Sequence, residues 1–175
     1  GLMVLCAASM AEEGKDVQAI CKRLELFGET VCSNFMVPGT TALYRNGKVS
    51  PAVHRLCTML NLHPVLHMSQ NELRLWKIES GNMSSARRRY VRKLLRHSKQ
   101  IDTRILFLTY AGCAMHHLDE ILAEVEKYAH FEKVVVQKAS ATVSGNCGTG
   151  AFGLMFIRKK ERQEKIYGFG TYLPG

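Results

Sequence analysis

Thr142-Val-Ser-Gly-Asn-Cys-Gly-Thr-Gly-Ala151 carries three glycines, at 145, 148 and 150, among small side chains. Small residues let backbone N–H groups approach a ligand closely and form a concavity suited to an anion. The spacing matches neither a P-loop nor a dinucleotide fingerprint. On pattern alone two readings stand, an anion-binding loop and a tight turn with no ligand. In either case residues 140–150 read as a loop between the apolar runs Val134 to Val136 and Ala151 to Ile157. Two strands around such a connection put this end of the chain in a β-sheet.

Working upstream, a helix from His116 or His117 to Tyr128 carries Leu118, Ile121, Leu122 and Val125 at the spacing of a buried stripe. Before it stand the apolar strand Ile105 to Thr109 and a helix from Ser84 to Ser98, dense in Arg and Lys, with Tyr90, Val91, Leu94 and Leu95 as its buried side. Pro64 to Met68 and Glu72 to Ile78 flank the polar turn Ser69-Gln70-Asn71, the pattern of a β-hairpin, with Leu73, Leu75 and Lys77 alternating against Arg74 and Trp76. Ser50 followed by Pro51 starts a helix to about Leu60, because Ser caps free N–H groups and Pro suits the first helical position. Val53, Leu56, Cys57 and Leu60 share one side of it. Ser33 to Val37 is a short strand ended by Pro38-Gly39, Asp16 caps a helix running to about Gly28, and the chain begins inside a helix, Leu2 to Ala11. This order predicts an α/β class, a mixed β-sheet with helices packed on it.

The 175 residues are 46% apolar and 22% charged, enough for a sizeable core and unlike a disordered chain. Lys and Arg number 24 against 15 Asp and Glu, a formal +9 that favours an anionic partner without naming it. The six cysteines, at 6, 21, 32, 57, 113 and 147, include no CxxC pair. No zinc or thioredoxin pattern exists, and free thiols in a reducing, cytoplasmic setting are expected. Leu2 to Ala11 is too short to span a bilayer and lacks a basic leader, so neither a transmembrane segment nor a signal peptide is expected. His63 and His67 lie in extended chain around Pro64, about 13 Å apart, so no metal site is expected.

Three stretches carry a more specific signal. Tyr44-Arg-Asn-Gly-Lys-Val-Ser50, Leu60-Asn-Leu-His-Pro-Val-Leu66 and Val143-Ser-Gly-Asn-Cys-Gly-Thr-Gly-Ala151 look like a Gly-Gly-Arg-Ile-Ser turn, a Leu-Asn-Ile-Lys-Pro strand and a Gly-Thr-His-Val-Gly-Pro-Gly loop. With the opening Gly1-Leu-Met-Val-Leu-Cys-Ala-Ala and Ala11-Glu-Glu-Gly-Lys15, they make residues 1–158 resemble the DegV family of fatty-acid-binding proteins. The resemblance implies a bacterial-type, two-lobed EDD fold of which this chain is a fragment. Residues 1–45 would join to a first lobe, 46–158 would form the lipid-binding lobe and 159–175 a tail. It also implies a long-chain fatty acid as bound ligand, with no cofactor. The protein would be a carrier, not an enzyme, presenting the carboxylate to a fatty acid kinase.

At the carboxylate end the positions that match are Ser144, Gly145, Asn146 in place of the loop His, Gly148, and Lys48 in place of the turn's Arg. Asn can donate to a carboxylate but brings no titratable charge, and Lys48 keeps the charge without the bidentate fork. Thr149 replaces the loop Pro, and His63 replaces the Lys before Pro64. Leu60, Leu62, Leu66, Met68, Phe152 and Met155 would line the acyl tunnel, where Met adapts to irregular shapes. The first lobe's Ser- and Thr-bearing ligand loops would precede Gly1.

The rival reading is a basic interaction module. Arg87, Arg88, Arg89, Arg92, Lys93, Arg96, His97 and Lys99 crowd one helix, which can be a solvated face or a docking face for an acidic protein or nucleic acid, with Arg88, Arg92 and Arg96 as its contacts. A single Trp76 and sparse aromatics argue against base stacking. A third class, a small hydrolase using Cys113 or Cys147, needs a base to activate the thiol, and none is visible. No catalytic residue is assigned.

Overall fold

The computed structural model describes residues 1–69 and 72–159. Among them the helices are α1 (Leu2–Glu12), α2 (Val17–Gly28), α3 (Thr41–Arg45), α4 (Pro51–Met59), α5 (Met83–Leu95), α6 (Met115–Glu126) and α7 (Ala141–Cys147). The strands are β1 (Val31–Met36), β2 (Leu62–Ser69), β3 (Glu72–Ser80), β4 (Ile101–Ala111), β5 (Lys133–Lys138) and β6 (Ala151–Arg158). They form one mixed sheet in the order β3-β2-β1-β6-β4-β5. Neighbours are antiparallel except β4 and β5, which run parallel with α6 as the crossover. The expected fold class, a mixed sheet carrying helices, is what the chain adopts. β1, which the division at residue 45 assigns to the joining segment, lies inside the sheet between β2 and β6.

Side-chain alternation splits the sheet into two faces. On β6, Phe152, Leu154 and Phe156 meet Tyr90, Val91, Leu94 and Leu95 of α5 and Leu118 and Ile121 of α6. The intervening residues face the other side, where Ile157 packs with Leu2, Cys6 and Phe27 of α1 and α2, and Ala151 packs with Val37, Leu66 and Cys147. The α5 stripe read from the sequence is thus the stripe that is buried. Tyr90 is fully buried, donates its hydroxyl to Asn34 O at 2.9 Å and accepts from Leu154 N at 3.4 Å. Burial pushes this phenol far above its ordinary range. Tyr90→Phe leaves those two backbone groups short of a partner, and a loss of about 1–3 kcal/mol is expected, read as a lower urea midpoint at unchanged m-value.

Local capping follows the sequence where the cap residue is a strong one. Asp16 accepts from Ala19 N, Ser50 from Val53 N and Asn82 from Ser85 N. Two expectations are corrected. Residues 141–147 are a helix, α7, and not a loop, because Ser140 caps Val143 N and packing buries Cys147. Only Gly148, Thr149 and Gly150 connect it to β6, and Gly148 ends the helix at φ 82°, a conformation glycine adopts without strain. In β3 the pairing shifts between Val65 and Leu66, so that Leu66 meets Leu75 while Val65 meets Lys77. Trp76 is the extra residue, and Ile78 takes the face expected for Lys77. The turn residues Gln70 and Asn71 and the tail beyond Lys159 lie outside the described residues.

Candidate functional site

On the α7 side of the sheet lies a cavity of about 850 Å3, within the range of small-molecule sites. Its floor is Ser33 and Phe35 of β1 with Gly153 and Met155 of β6. The hairpin supplies Leu66 and Met68 from β2 and, through the bulge, Leu73, Leu75 and Ile78 from β3. The opposite wall is helical, Leu43 of α3, Val53 and Cys57 of α4, and Val143 and Cys147 of α7. Met68, Leu73, Leu75 and Val143 are about half-exposed, so the cavity is open between hairpin and α7.

Part of the polar lining, Thr40, Lys48, Thr142 and Asn146, stands where α3 and its following turn meet α7, and the rest, Ser33, Asn34, Thr109 and Tyr110, lies on the strands. Asn46 donates its Nδ2–H to Gly145 O at 3.1 Å, joining two motifs that lie 99 residues apart in the chain. Asn146 donates one amide hydrogen to Thr142 O at 2.9 Å, which leaves its second hydrogen for another acceptor. Thr40 is almost fully buried with its hydroxyl 2.8 Å from His54 Nδ1, and the His54 ring stacks on Tyr44 at 4.8 Å. His63 is buried with one ring nitrogen 2.6 Å from Pro38 O and the other 2.8 Å from Gly81 O, which pins the start of β2 to both flanking turns.

The family described as "Uncharacterised protein, DegV family" matches residues 1–159 of this chain. The chain belongs to the DegV family. The DegV domain-containing protein YteA of Lactococcus lactis is 27% identical over 170 residues, covering 93% of this chain and 56% of the relative. A DegV domain-containing protein of Clostridium perfringens is 23% identical over 160 residues, covering 90% and 54%. The chain therefore spans about half the length of the curated relatives it matches. Among solved structures, a Thermus thermophilus DegV family protein with fatty acid binding is 25% identical with a TM-score of 0.74, covering 90% of this chain and 56% of that one. A Eubacterium eligens DegV family protein loaded with heptadecanoic acid shares the fold at a TM-score of 0.75 and 18% identity, covering 91% and 56%.

In this DegV chain Lys48, Asn146, Leu66, Met68 and Met155 all stand in the cavity wall. Phe152 borders the cavity, but its ring lies on the other face of β6, edge-on to Tyr90 at 5.3 Å. Leu60 is an exposed residue at the end of α4 and Leu62 pairs with Ser80 at the start of the hairpin; neither is part of the wall. Ser144, Gly145 and Gly148 are not part of the wall, and the Ser144 hydroxyl donates to Ala139 O at 3.5 Å. Cys57, Val143 and Ile78 are wall residues that sequence reasoning left unassigned. For Cys57 the signal was present in its i, i+4 spacing from Val53 on the helix.

The basic helix of this DegV chain divides by partner. Arg87 and Arg88 both pair with Glu120 of α6 at 2.9 Å, and Arg88 also donates to Ser84 and Ser85. Glu120 therefore bridges α5 and α6, and the N-cap of α6, Ala114, has no side-chain cap. Arg92 and Arg96 are exposed and make no ion pair among the described residues. Arg88, Arg92 and Arg96 are thus not one equivalent set. Burial pushes the Cys113 and Cys147 thiols up, away from the thiolate form a nucleophile needs. Among the described residues no His, Cys, Asp and Glu cluster suited to a metal ion occurs, and no helix is long and apolar enough to cross a membrane.

Proposed function

We propose that this DegV chain binds a long-chain fatty acid, its tail in the 850 Å3 cavity and its carboxylate toward Lys48 and Asn146. The observation that carries the reading is the polarity of the cavity. Apart from Ser33, the side chains of floor and hairpin are apolar, while Lys48, Thr142 and Asn146 stand where the Asn46–Gly145 bond joins the two motif segments. Each buried methylene contributes about 0.8 kcal/mol, Lys48 supplies a positive charge and the free Asn146 N–H a donor. In this reading residues 46–158 form the lipid-binding lobe together with β1 and α3 of the 1–45 segment, which also leads to a further lobe, and 159–175 are a tail. The protein works in the cytoplasm as a carrier that holds the carboxylate out for a fatty acid kinase, supplies no reacting group itself, and takes no nucleic acid. The fatty acid binding of the Thermus relative and the heptadecanoic acid carried by the Eubacterium one support the choice of ligand.

The test is uptake of palmitate by delipidated full-length protein, followed by calorimetry and native mass spectrometry. One ligand per chain is expected. Met155→Lys, which puts an ammonium on the cavity floor, should weaken binding by about a hundredfold or more, whereas Leu60→Lys outside the wall should leave it unchanged. Lys48→Ala should weaken palmitate but not hexadecanol. Full-length protein that takes up no fatty acid overturns the reading, and so does equal loss from Leu60→Lys and Met155→Lys.

A further inference from the structure

The part of the basic helix outside the Glu120 bridge meets the outer strand of the sheet. Glu79 of β3, 3% exposed, accepts from Lys93 Nζ at 2.6 Å and from Arg89 Nε at 2.9 Å. Two residues earlier, the Lys77 ammonium lies beside that of Lys93 and near the Arg96 guanidinium. Desolvation and these like charges hold Lys77 below the usual lysine range. Glu79 is paired with Arg89 and Lys93; Lys77 and Arg96 have no carboxylate of their own there among the described residues, and the corner keeps an excess of positive charge. Arg92 adds to it one helical turn before Arg96. Trp76, the chain's single tryptophan, is 38% exposed at the β-bulge, with Lys77 Nζ 5.9 Å from its ring.

The same corner has an open hydrogen-bonding ladder. β3 is the terminal strand of the sheet, so the N–H and C=O groups on its outer side face no strand among the described residues, and such an edge is a template for another extended chain. Charge alone would serve a nucleic acid equally well. An unpaired backbone ladder is matched only by a polypeptide, and acidic side chains on that polypeptide would complement the cations. We propose that Trp76, Lys77, Arg92 and Arg96 form a docking surface for an extended acidic segment of a partner protein, laid along the free edge of β3. This surface is separate from the cavity and does not depend on what the cavity binds.

Because Trp76 is the only tryptophan, its emission reports on this corner directly. Titration of the full-length protein with poly-L-glutamate is expected to give a saturable change in that emission, weakening as salt is raised. Lys77→Glu combined with Arg96→Glu should reduce the affinity by about tenfold or more. These two exposed positions leave the Glu79 pairs with Arg89 and Lys93 intact, and an unchanged melting temperature confirms that the variant folds. Arg88→Ala, whose side chain belongs to the Glu120 bridge, should bind poly-L-glutamate as the unmodified protein does. No emission change with poly-L-glutamate overturns the proposal. An equal loss from Arg88→Ala does the same, as does a short DNA duplex bound as tightly as the peptide.

Discussion

Gly153→Ala is expected to destabilise the fold by about 2–3 kcal/mol, a fall in Tm of roughly 5–10 °C for a chain of this size. Gly153 pairs with Phe35 across β6 and β1. A Cβ built on it would stand 2.8 Å from the Phe35 Cβ and 2.9 Å from the Asn34 carbonyl oxygen. Neither atom is the end of a flexible side chain, so β1 itself must move. That movement has two further costs, because Asn34 O is the acceptor for the buried Tyr90 hydroxyl and Phe35 belongs to the cavity floor. The same substitution at Gly145 meets nothing within 4 Å and falls inside α7, where alanine is the better helix former by about 0.5–1 kcal/mol. Thermal melts of the two variants should therefore differ in sign. A Gly153→Ala variant that melts with the unmodified protein would mean that β1 and β6 are not this close.

Glu79→Gln is expected to lower stability at neutral pH by about 2 kcal/mol, less than a fully enclosed pair would lose because Arg89 and Lys93 keep 32% and 27% of their side chains exposed. Burial on its own would raise the Glu79 carboxyl, but hydrogen bonds from Lys93 and Arg89 and their charges outweigh it, and the group is held below its ordinary range. A folded pKa below the unfolded one means that the carboxylate's stabilisation is complete above the ordinary glutamate pKa and is lost as pH falls through the lower, folded value. The difference between the two proteins should accordingly be largest near neutrality and shrink in acid. Urea midpoints at neutral pH and near pH 3 measure it. A difference that stays constant across that range would show that Glu79 does not act through its charge.

Periodicity and capping made most of the framework legible. The buried stripe Tyr90, Val91, Leu94 and Leu95, the caps Asp16 and Ser50 and the hairpin around residues 64–78 are local patterns, and local patterns survive folding when tertiary contacts agree with them. The cavity was half legible. Leu66, Met68 and Met155 could be named from apolar character within recognisable segments, but Leu60 and Leu62 have the same character and lie outside the wall. Phe152 shows why character alone is insufficient, since a strand turns successive side chains to opposite faces and its ring meets Tyr90 instead.

From its own residues, the chain determined an α/β sheet protein, a basic helix with a buried apolar side, and two motif segments near residues 44–50 and 143–151. The first two are properties of spacing and composition, which need no knowledge of neighbours, and the segments stand out by their resemblance to the family's motifs. Tertiary structure alone decided that the two segments meet through Asn46 and Gly145, that the Ser140–Gly150 stretch spends seven residues in a helix, and that an extra residue at Trp76 turns Ile78 into the cavity. It also decided that Glu120 takes Arg88 out of the free basic surface while Arg92 and Arg96 stay exposed. Each of these depends on a contact between residues far apart in sequence, and the energy of such a contact exists only once the sheet has brought its partners together.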